Sequence, residues 1–210
     1  ADYLKSHPDE ILTDIAYTLH TTRKDFPYRR YIVATDKAHL IEHLQAATTS
    51  DVHSLIKTPQ QLVFMFPGQG DQYVNMGRSL YASEQVFKAA IDECAHLLKE
   101  DCHLDLLHLL FVEEHLEEAK ENINQTQNSQ PALFAIGYAL GKLWMSWGIF
   151  PAALVGHSIG EFVAAYFAGV FSLRDALRLI SERGRMMGTL SSGKMLSVRL
   201  SADELNKILP

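Results

Sequence analysis

Cysteine is nearly absent: Cys94 and Cys102 are the only two in 210 residues. That excludes a disulfide framework, and their spacing is not a Cys-x-x-Cys pair. A reducing, cytoplasmic compartment is the expected setting. No apolar run reaches the roughly 20 residues that span a bilayer. The N-terminus lacks the basic segment and apolar core of a secretory signal. Positive charge is not in excess either: 19 Lys and Arg against 25 Asp and Glu give a formal net charge of −6. This argues against nucleic acid or an anionic membrane as a partner. Histidine stops early, since the last of ten is His157. No internal repeat or low-complexity segment is visible.

The remaining composition, 47% apolar and 21% charged, is that of a globular protein. The length allows one ordinary domain, or a small one and most of a larger one. The start at Ala1 and stop at Pro210 read as a piece of a longer protein.

Three segments are expected. Residues 1–60 read as a small α/β unit. Ile11, Leu12, Ile15, Ala16 and Leu19 recur at helical spacing after Pro8, a good first-turn residue. Arg30 to Thr35 reads as a strand, and Asp36 caps a helix with Leu40, Ile41 and Leu44 inward. Residues 61–192 form the main body. Leu62 to Phe66 reads as a buried parallel strand. Ser83 is expected to cap a helix burying Val86, Phe87, Ala90, Ile91, Cys94, Leu97 and Leu98. The acid-rich stretch from Glu84 to Glu121 reads as a solvated face. Ala132 to Trp147 is apolar enough to be a buried helix. A strand at 152–155 follows, and Ser172 with Asp175 forms a capping-box pair for a helix from Leu173. Residues 193–210 open a third segment, with a strand from Met195 to Leu200 and a helix capped by Ser201 and Glu204. Strands alternating with helices imply an α/β fold, a mostly parallel sheet covered on both faces.

The most informative stretch is Gly156-His157-Ser158-Ile159-Gly160. It lies between the apolar run Ala152 to Val155 and the helical segment Glu161 to Ala168. Strand, Gly-x-Ser-x-Gly, helix is the nucleophile elbow of α/β-hydrolase-like sheets. The glycines allow a turn too tight for side chains. Ser158 is thereby lifted clear at a helix N-terminus, which favours an alkoxide or oxyanion.

Acyl transfer through serine also needs an oxyanion hole and a base. At an elbow one donor is the N–H after the nucleophile, here Ile159, and the other comes from a loop after a different strand. Phe66-Pro67-Gly68-Gln69-Gly70 is the candidate, with Gln69 presenting its N–H; a plain turn is the alternative. A dinucleotide fingerprint is rejected because its third glycine position holds Tyr73. Read from the residues alone, Arg183 is better taken as a surface arginine near a helix C-terminus. Gln130 is equally a polar helix start before Pro131. His157 adjoins Ser158 and cannot readily point at it. The pattern His39-x-x-Glu42-His43 resembles a zinc-protease motif, but no third ligand accompanies it, so a solvated helix face is preferred and no metal is expected.

Four motifs now occur in order: Phe66-Pro67-Gly68-Gln69-Gly70-Asp71-Gln72, Gln130-Pro131-Ala132-Leu133-Phe134, Gly156-His157-Ser158-Ile159-Gly160-Glu161 and Arg183-Gly184-Arg185-Met186-Met187. Together they resemble the malonyl-CoA:acyl-carrier-protein transacylase family, above all the acyltransferase domains of modular polyketide synthases. Asp14-Ile15-Ala16-Tyr17-Thr18-Leu19, with Arg23-Lys24 and Tyr28-Arg29-Arg30, is similar to the linker joining ketosynthase to acyltransferase there. The resemblance implies that Ser158 is acylated and that the N–H groups of Gln69 and Ile159 form the oxyanion hole. It implies that Arg183 pairs with the free carboxylate of a malonyl-type substrate, while Gln130 and His157 support the site. It implies a coenzyme A thioester as substrate, no permanently bound cofactor, and the phosphopantetheine of an acyl carrier protein as acceptor. An adjoining ketosynthase is the further partner. Ile159 resembles malonyl-selective members, where methylmalonyl-selective ones tend to carry Gln. The family's catalytic histidine lies downstream, beyond a ferredoxin-like subdomain that residues 193–210 would begin, so this piece is expected to be nearly inactive. A serine esterase or thioesterase on the same elbow, and a non-catalytic structural fragment of a synthase, are the alternatives.

Overall fold

A computed structural model describes residues 1–24, 26–46, 53–54, 61–190 and 198–208. The chain divides into two compact units, Ala1–Gln60 and Gln61–Pro210.

The first unit contains α1 (Asp2–Ser6), α2 (Leu12–Thr22), β1 (Tyr28–Arg29), α3 (Lys37–Gln45) and β2 (His53–Ser54). The strands pair antiparallel, Tyr28 with Ser54 and Arg29 with His53. Asp36 caps α3 as expected: its carboxylate accepts the His39 N–H at 2.9 Å, which holds its pKa below the ordinary value. Leu40, Ile41 and Leu44 are half-buried. Two expectations are corrected. The strand expected over 30–35 is instead the two-residue β1, while Tyr31 and Val33, whose β propensity suggested it, stand exposed. Pro8 precedes α1's successor rather than entering it, because α2 starts after Ile11. Helix α2 forms where the spacing placed it, and none of its residues is buried. Among the described residues of this unit, Leu4 is the one buried hydrophobic residue.

The second unit is built on β3 (Val63–Phe66) and β4 (Ala153–Gly156), which pair in parallel with Val63 opposite Ala153 and Phe66 opposite Gly156. Between them run α4 (Arg78–Ser83), α5 (Gln85–Cys102), α6 (Leu106–Leu110), α7 (Leu116–Asn124) and α8 (Thr126–Ser146). After β4 come α9 (Gly160–Phe167), α10 (Leu173–Gly188) and the short α11 (Ala202–Leu205). Helix α8 is the spine of the core. Its Phe134, Tyr138 and Leu143 meet Phe87, Ile91, Cys94 and Leu98 of α5 and Leu177 and Ile180 of α10 in one apolar cluster. Burial pushes the Cys94 thiol pKa well above its ordinary value, with Glu93 adding to the shift. Asp101, at the end of α5, receives Arg174 at 2.8 Å and Arg178 at 3.0 Å, which ties α10 to α5.

Ser83 does not cap α5. It is the last residue of α4, and its hydroxyl donates to the Ser79 carbonyl at 3.0 Å, so Glu84 is the N-cap. That start leaves Val86 38% exposed while Phe87 is fully buried. Helix α8 begins six residues before Ala132, and Pro131 lies inside it. The polar run that resembled a helix start is therefore helical and buried. Its side chains are bonded, as where Asn128 Nδ2 donates to the Asn122 carbonyl at 2.9 Å. The box expected at Ser172 is one-sided: the hydroxyl accepts the Asp175 N–H at 3.1 Å, but the Asp175 carboxylate turns to that hydroxyl. The box at Ser201 and Glu204 has both halves. Of the strand expected from Met195 to Leu200, residues 195–197 lie outside the described residues, and 198–200 are not a strand. The boundary expected at 192–193 also lies outside them. The described residues hold two parallel strands, and one face of that pair is open, with Met65 77% exposed.

Phe87→Ala should destabilise the second unit by about 3–5 kcal/mol, the usual cost of a deleted buried aromatic ring. Val86→Ala should cost under about 1 kcal/mol. Denaturant midpoints of the two variants check the register, and equal losses would place both side chains in the core.

Candidate active site

The turn after β4 is made by close backbone contacts. The His157 N–H donates to the Phe66 carbonyl at 3.0 Å, extending the β3–β4 ladder one residue past Gly156. Ser158 follows with φ of 52°, a left-handed conformation uncommon for a residue with a side chain. The chain then folds back. Gly160 N–H reaches the His157 carbonyl at 2.9 Å and Glu161 N–H the Ser158 carbonyl at 3.1 Å, which starts α9. A Cβ on Gly156 would collide with the backbone of Gly160 and Glu161, and one on Gly160 with the carbonyls of Phe66 and Pro67. Glu161 braces the turn, its carboxylate accepting the Gly156 N–H at 3.1 Å. Ile159 is buried in the core, and Ser158 and His157 are exposed. One turn thus holds an anchor and a presented hydroxyl side by side.

The loop after β3 lies against this turn. A Cβ on Gly68 would sit 2.6 Å from the His157 ring, so the glycine is what admits the imidazole. Gly70 has φ of 126°, and its N–H donates to Gln72 Oε1 at 2.8 Å. Two side-chain bonds tie the loop to the α7–α8 corner: Gln72 Nε2 to Asn124 Oδ1 at 2.6 Å, and the Thr126 hydroxyl to Gln69 Oε1 at 3.0 Å. The backbone N–H groups of Gln69 and Ile159 donate to no other described residue.

Arg183 sits half-buried on α10. Its Nη1 donates to Gln130 Oε1 at 2.5 Å, and its guanidinium carbon lies 5.7 Å from the centre of the Phe162 ring. It forms no ion pair with a described carboxylate, whereas its neighbours Glu182 and Arg185 pair with each other at 2.6 Å. Gly184 lets α10 come this close, because a Cβ there would be 2.9 Å from the Thr126 carbonyl and from Gln127 Cα. Gln130 is fully buried and also donates to the Thr126 hydroxyl at 2.8 Å.

Of the residues singled out in the sequence, His157, Ser158 and Ile159 share the elbow, and Gln69 lies on the loop packed against it. Gln130 and Arg183 are bonded to one another. His157 packs on Gly68, and no hydrogen bond joins Ser158 to a histidine among the described residues. The sequence reading missed Thr126, Asn124 and the spacing role of Gly184. Thr126 lies four residues before Gln130, a helical neighbour only once α8 is known to begin there. Among the described residues no group of three or more His, Cys, Asp or Glu side chains is placed to hold a metal, and no described helix is long and apolar enough to cross a membrane.

An exposed serine at a left-handed turn between strand and helix, faced by a glycine loop from the neighbouring parallel strand, marks an α/β domain with a strand–turn–helix site. Residues 63–210 match the acyl transferase domain family, and residues 1–44 match the family described as CurL-like, PKS C-terminal. The chain belongs to the acyl transferase domain family, in the form found in polyketide synthases. It is 39% identical over 201 residues to orsellinic acid synthase armB of Armillaria mellea, an alignment covering 94% of this chain and 9% of that protein. It resembles the solved acyl transferase domain of ZmaA with a TM-score of 0.88 and 40% identity, covering 98% of this chain and 48% of that one. It also resembles an acyl carrier protein S-malonyltransferase of Vibrio cholerae, with a TM-score of 0.54 and 34% identity, covering 62% and 40%. The chain therefore spans about half of the solved domains and a small part of the curated synthase.

Gly160→Ala should destabilise the second unit by about 1–3 kcal/mol, because the new methyl meets backbone that cannot yield without parting β3 from the elbow. Thermal and urea unfolding measure it. A variant as stable as the wild type would show that the elbow relaxes freely.

Proposed function

We propose that this chain is part of an acyltransferase domain that moves a malonyl-type unit from coenzyme A to an acyl carrier protein through an ester on Ser158. The observation that carries the reading is Ser158 itself: an exposed hydroxyl at φ of 52°, at the start of α9, with the N–H of Ile159 next to it and that of Gln69 on the packed loop donating to no described residue. In the first half-reaction Ser158 Oγ attacks the thioester carbonyl carbon and gives up its proton to a base. The carbonyl oxygen gains negative charge and accepts from the N–H groups of Gln69 and Ile159. Collapse forms the ester, and coenzyme A leaves as its thiol with the proton from the base. In the second, the phosphopantetheine thiol attacks the ester, and Ser158 recovers its hydrogen.

Arg183 supports a substrate with a free carboxylate. It is half-buried, always charged, held by a neutral amide on one side, and unpaired with any described carboxylate. A guanidinium can then offer parallel N–H groups to a carboxylate entering the site. His157 shapes the loop through Gly68. The resemblance to an S-malonyltransferase and to polyketide synthase domains supports the same substrate class. In this reading residues 1–60 are the ketosynthase–acyltransferase linker, 61–192 belong to an α/β-hydrolase-like large subdomain, and 193–210 open a ferredoxin-like one. The base is assigned to a histidine in the half of the domain that this chain does not span. The expected setting is the cytoplasm, beside a ketosynthase and a carrier protein.

In the complete acyltransferase domain, malonyl-CoA should add one malonyl group at Ser158, and Ser158→Ala should abolish it. The 210-residue chain alone should label far more slowly, since a serine without a base is a weak nucleophile. Intact-mass and peptide mass spectrometry decide it. Label on another residue would sink the nucleophile assignment, full-speed labelling of the short chain would sink the assignment of the base, and release of free malonate in place of transfer would favour a thioesterase.

Arg183→Ala should lower malonyl loading by about a hundredfold and acetyl loading far less, because only malonyl has the carboxylate. Loading rates measured with both thioesters check this. Equal losses would mean that Arg183 has a structural role.

A further inference from the structure

Arg183, Gln130, Thr126 and Gln69 form one hydrogen-bonded row across the site. Its steps are Arg183 Nη1 to Gln130 Oε1 at 2.5 Å, Gln130 Nε2 to the Thr126 hydroxyl at 2.8 Å, and that hydroxyl to Gln69 Oε1 at 3.0 Å. The row has a direction, and chemistry imposes it from one end. A guanidinium only donates, so Gln130 must present its carbonyl oxygen to Arg183. The amide nitrogen then faces Thr126, whose oxygen must accept. The Thr126 hydrogen is left to point outward, to the loop that carries Gln69. Gln130 is fully buried, so a wrongly turned amide would set N–H against N–H in a place without solvent. The other acceptor near its nitrogen is the Met187 sulfur at 3.4 Å, which is weak. Thr126 is thus the one group that both accepts from the amide behind Arg183 and donates to the Gln69 loop. The close seat of α10 against the Thr126 carbonyl at Gly184 keeps the row short.

We propose that Thr126 is a positioning residue for malonyl selectivity: its hydroxyl fixes the Gln130 amide so that Arg183 is aimed at the substrate carboxylate, and couples that clamp to the Gln69 loop. This rests on the reading of Ser158 and Arg183 above. Loss of the hydroxyl leaves the buried Gln130 N–H without its acceptor, so the amide shifts to find another and disturbs Arg183 first. The damage therefore falls on substrates that use the carboxylate, and on their KM in particular.

The test measures Ser158 loading rates by malonyl-CoA and acetyl-CoA in the complete acyltransferase domain, for the wild type, Thr126→Val, Thr126→Ala and Thr126→Ser. Valine keeps the shape of threonine without the hydroxyl. Alanine removes the hydroxyl and the branched bulk together, so the result survives if valine disturbs folding. Both should lower kcat/KM for malonyl about tenfold, chiefly through KM, and shift the malonyl-to-acetyl ratio by a similar factor. Thr126→Ser should stay within about twofold of the wild type, because it restores the hydroxyl. An unchanged ratio in both Val and Ala variants, or a serine variant as impaired as valine, would overturn the proposal. Failure of the wild type to load Ser158 at all is a different result: it removes the functional reading itself, and the positioning role with it.

Discussion

Gly160 lies so close to the carbonyls of Phe66 and Pro67 that no side chain fits between them. The rest of the site depends on that contact. It holds the start of α9 against the end of β3, so the turn after β4 has only a few residues in which to reverse. The reversal puts Ser158 into a left-handed conformation and sends Ile159 into the core. Strain of this kind persists only where the surroundings over-determine it. Here the surroundings are the β3–β4 ladder, the His157 bond to Phe66 and the Glu161 brace on Gly156. The hydroxyl is presented because its neighbours on both sides are committed elsewhere.

A second constraint comes from α8. Its middle turns are apolar and pack the core as far as Leu143, its last turn leaves Trp144 44% exposed, and its first turns carry Asn128, Ser129 and Gln130 into the interior. Burying amides is costly unless they are bonded. Each of the two amides has its partner: Asn128 closes the α7–α8 corner, and Gln130 meets Arg183 from α10. One helix therefore supplies stability through one stretch and site geometry through another. Pro131 stands near the change from polar to apolar.

The two units differ in what holds them together. The second has a continuous apolar core shared by α5, α8 and α10, with a salt-bridged seam at Asp101. Among its described residues the first buries little, and its helices rest on single polar bonds such as the Asp36 cap and the Lys37 bond to the Pro8 carbonyl at 2.6 Å. Its exposed apolar side chains include Ile11, Tyr17, Leu19 and Tyr28. A unit of this kind gains little of its stability from area removed from water.

Where a feature is local, the sequence by itself determined it. Gly-x-Ser-x-Gly between an apolar run and a helical one specifies the elbow, because a chain reversal that tight leaves glycine as the residue that fits. The caps at Asp36 and Ser201 were legible because a short polar side chain reaches backbone N–H groups a few residues away. The apolar face of α5 followed from spacing, and the buried middle of α8 from its nearly all-apolar run. What failed in the sequence reading needed a distant partner or a competing local bond. Ser83 looked like a cap until its hydroxyl was seen bonded back to Ser79. Val86 and Phe87 looked equally inward, and only the start of α5 at Gln85 separated them. Tyr31 and Val33 have the propensity of a strand, but pairing is set by what lies alongside. The row from Arg183 to Gln69 was invisible for the same reason: its single bonds link residues as far as 57 apart in the chain. Its middle member becomes a neighbour of Gln130 only when a run of polar residues folds as the first turns of α8. Tertiary structure alone decided that, by giving those buried amides partners on another helix and another loop.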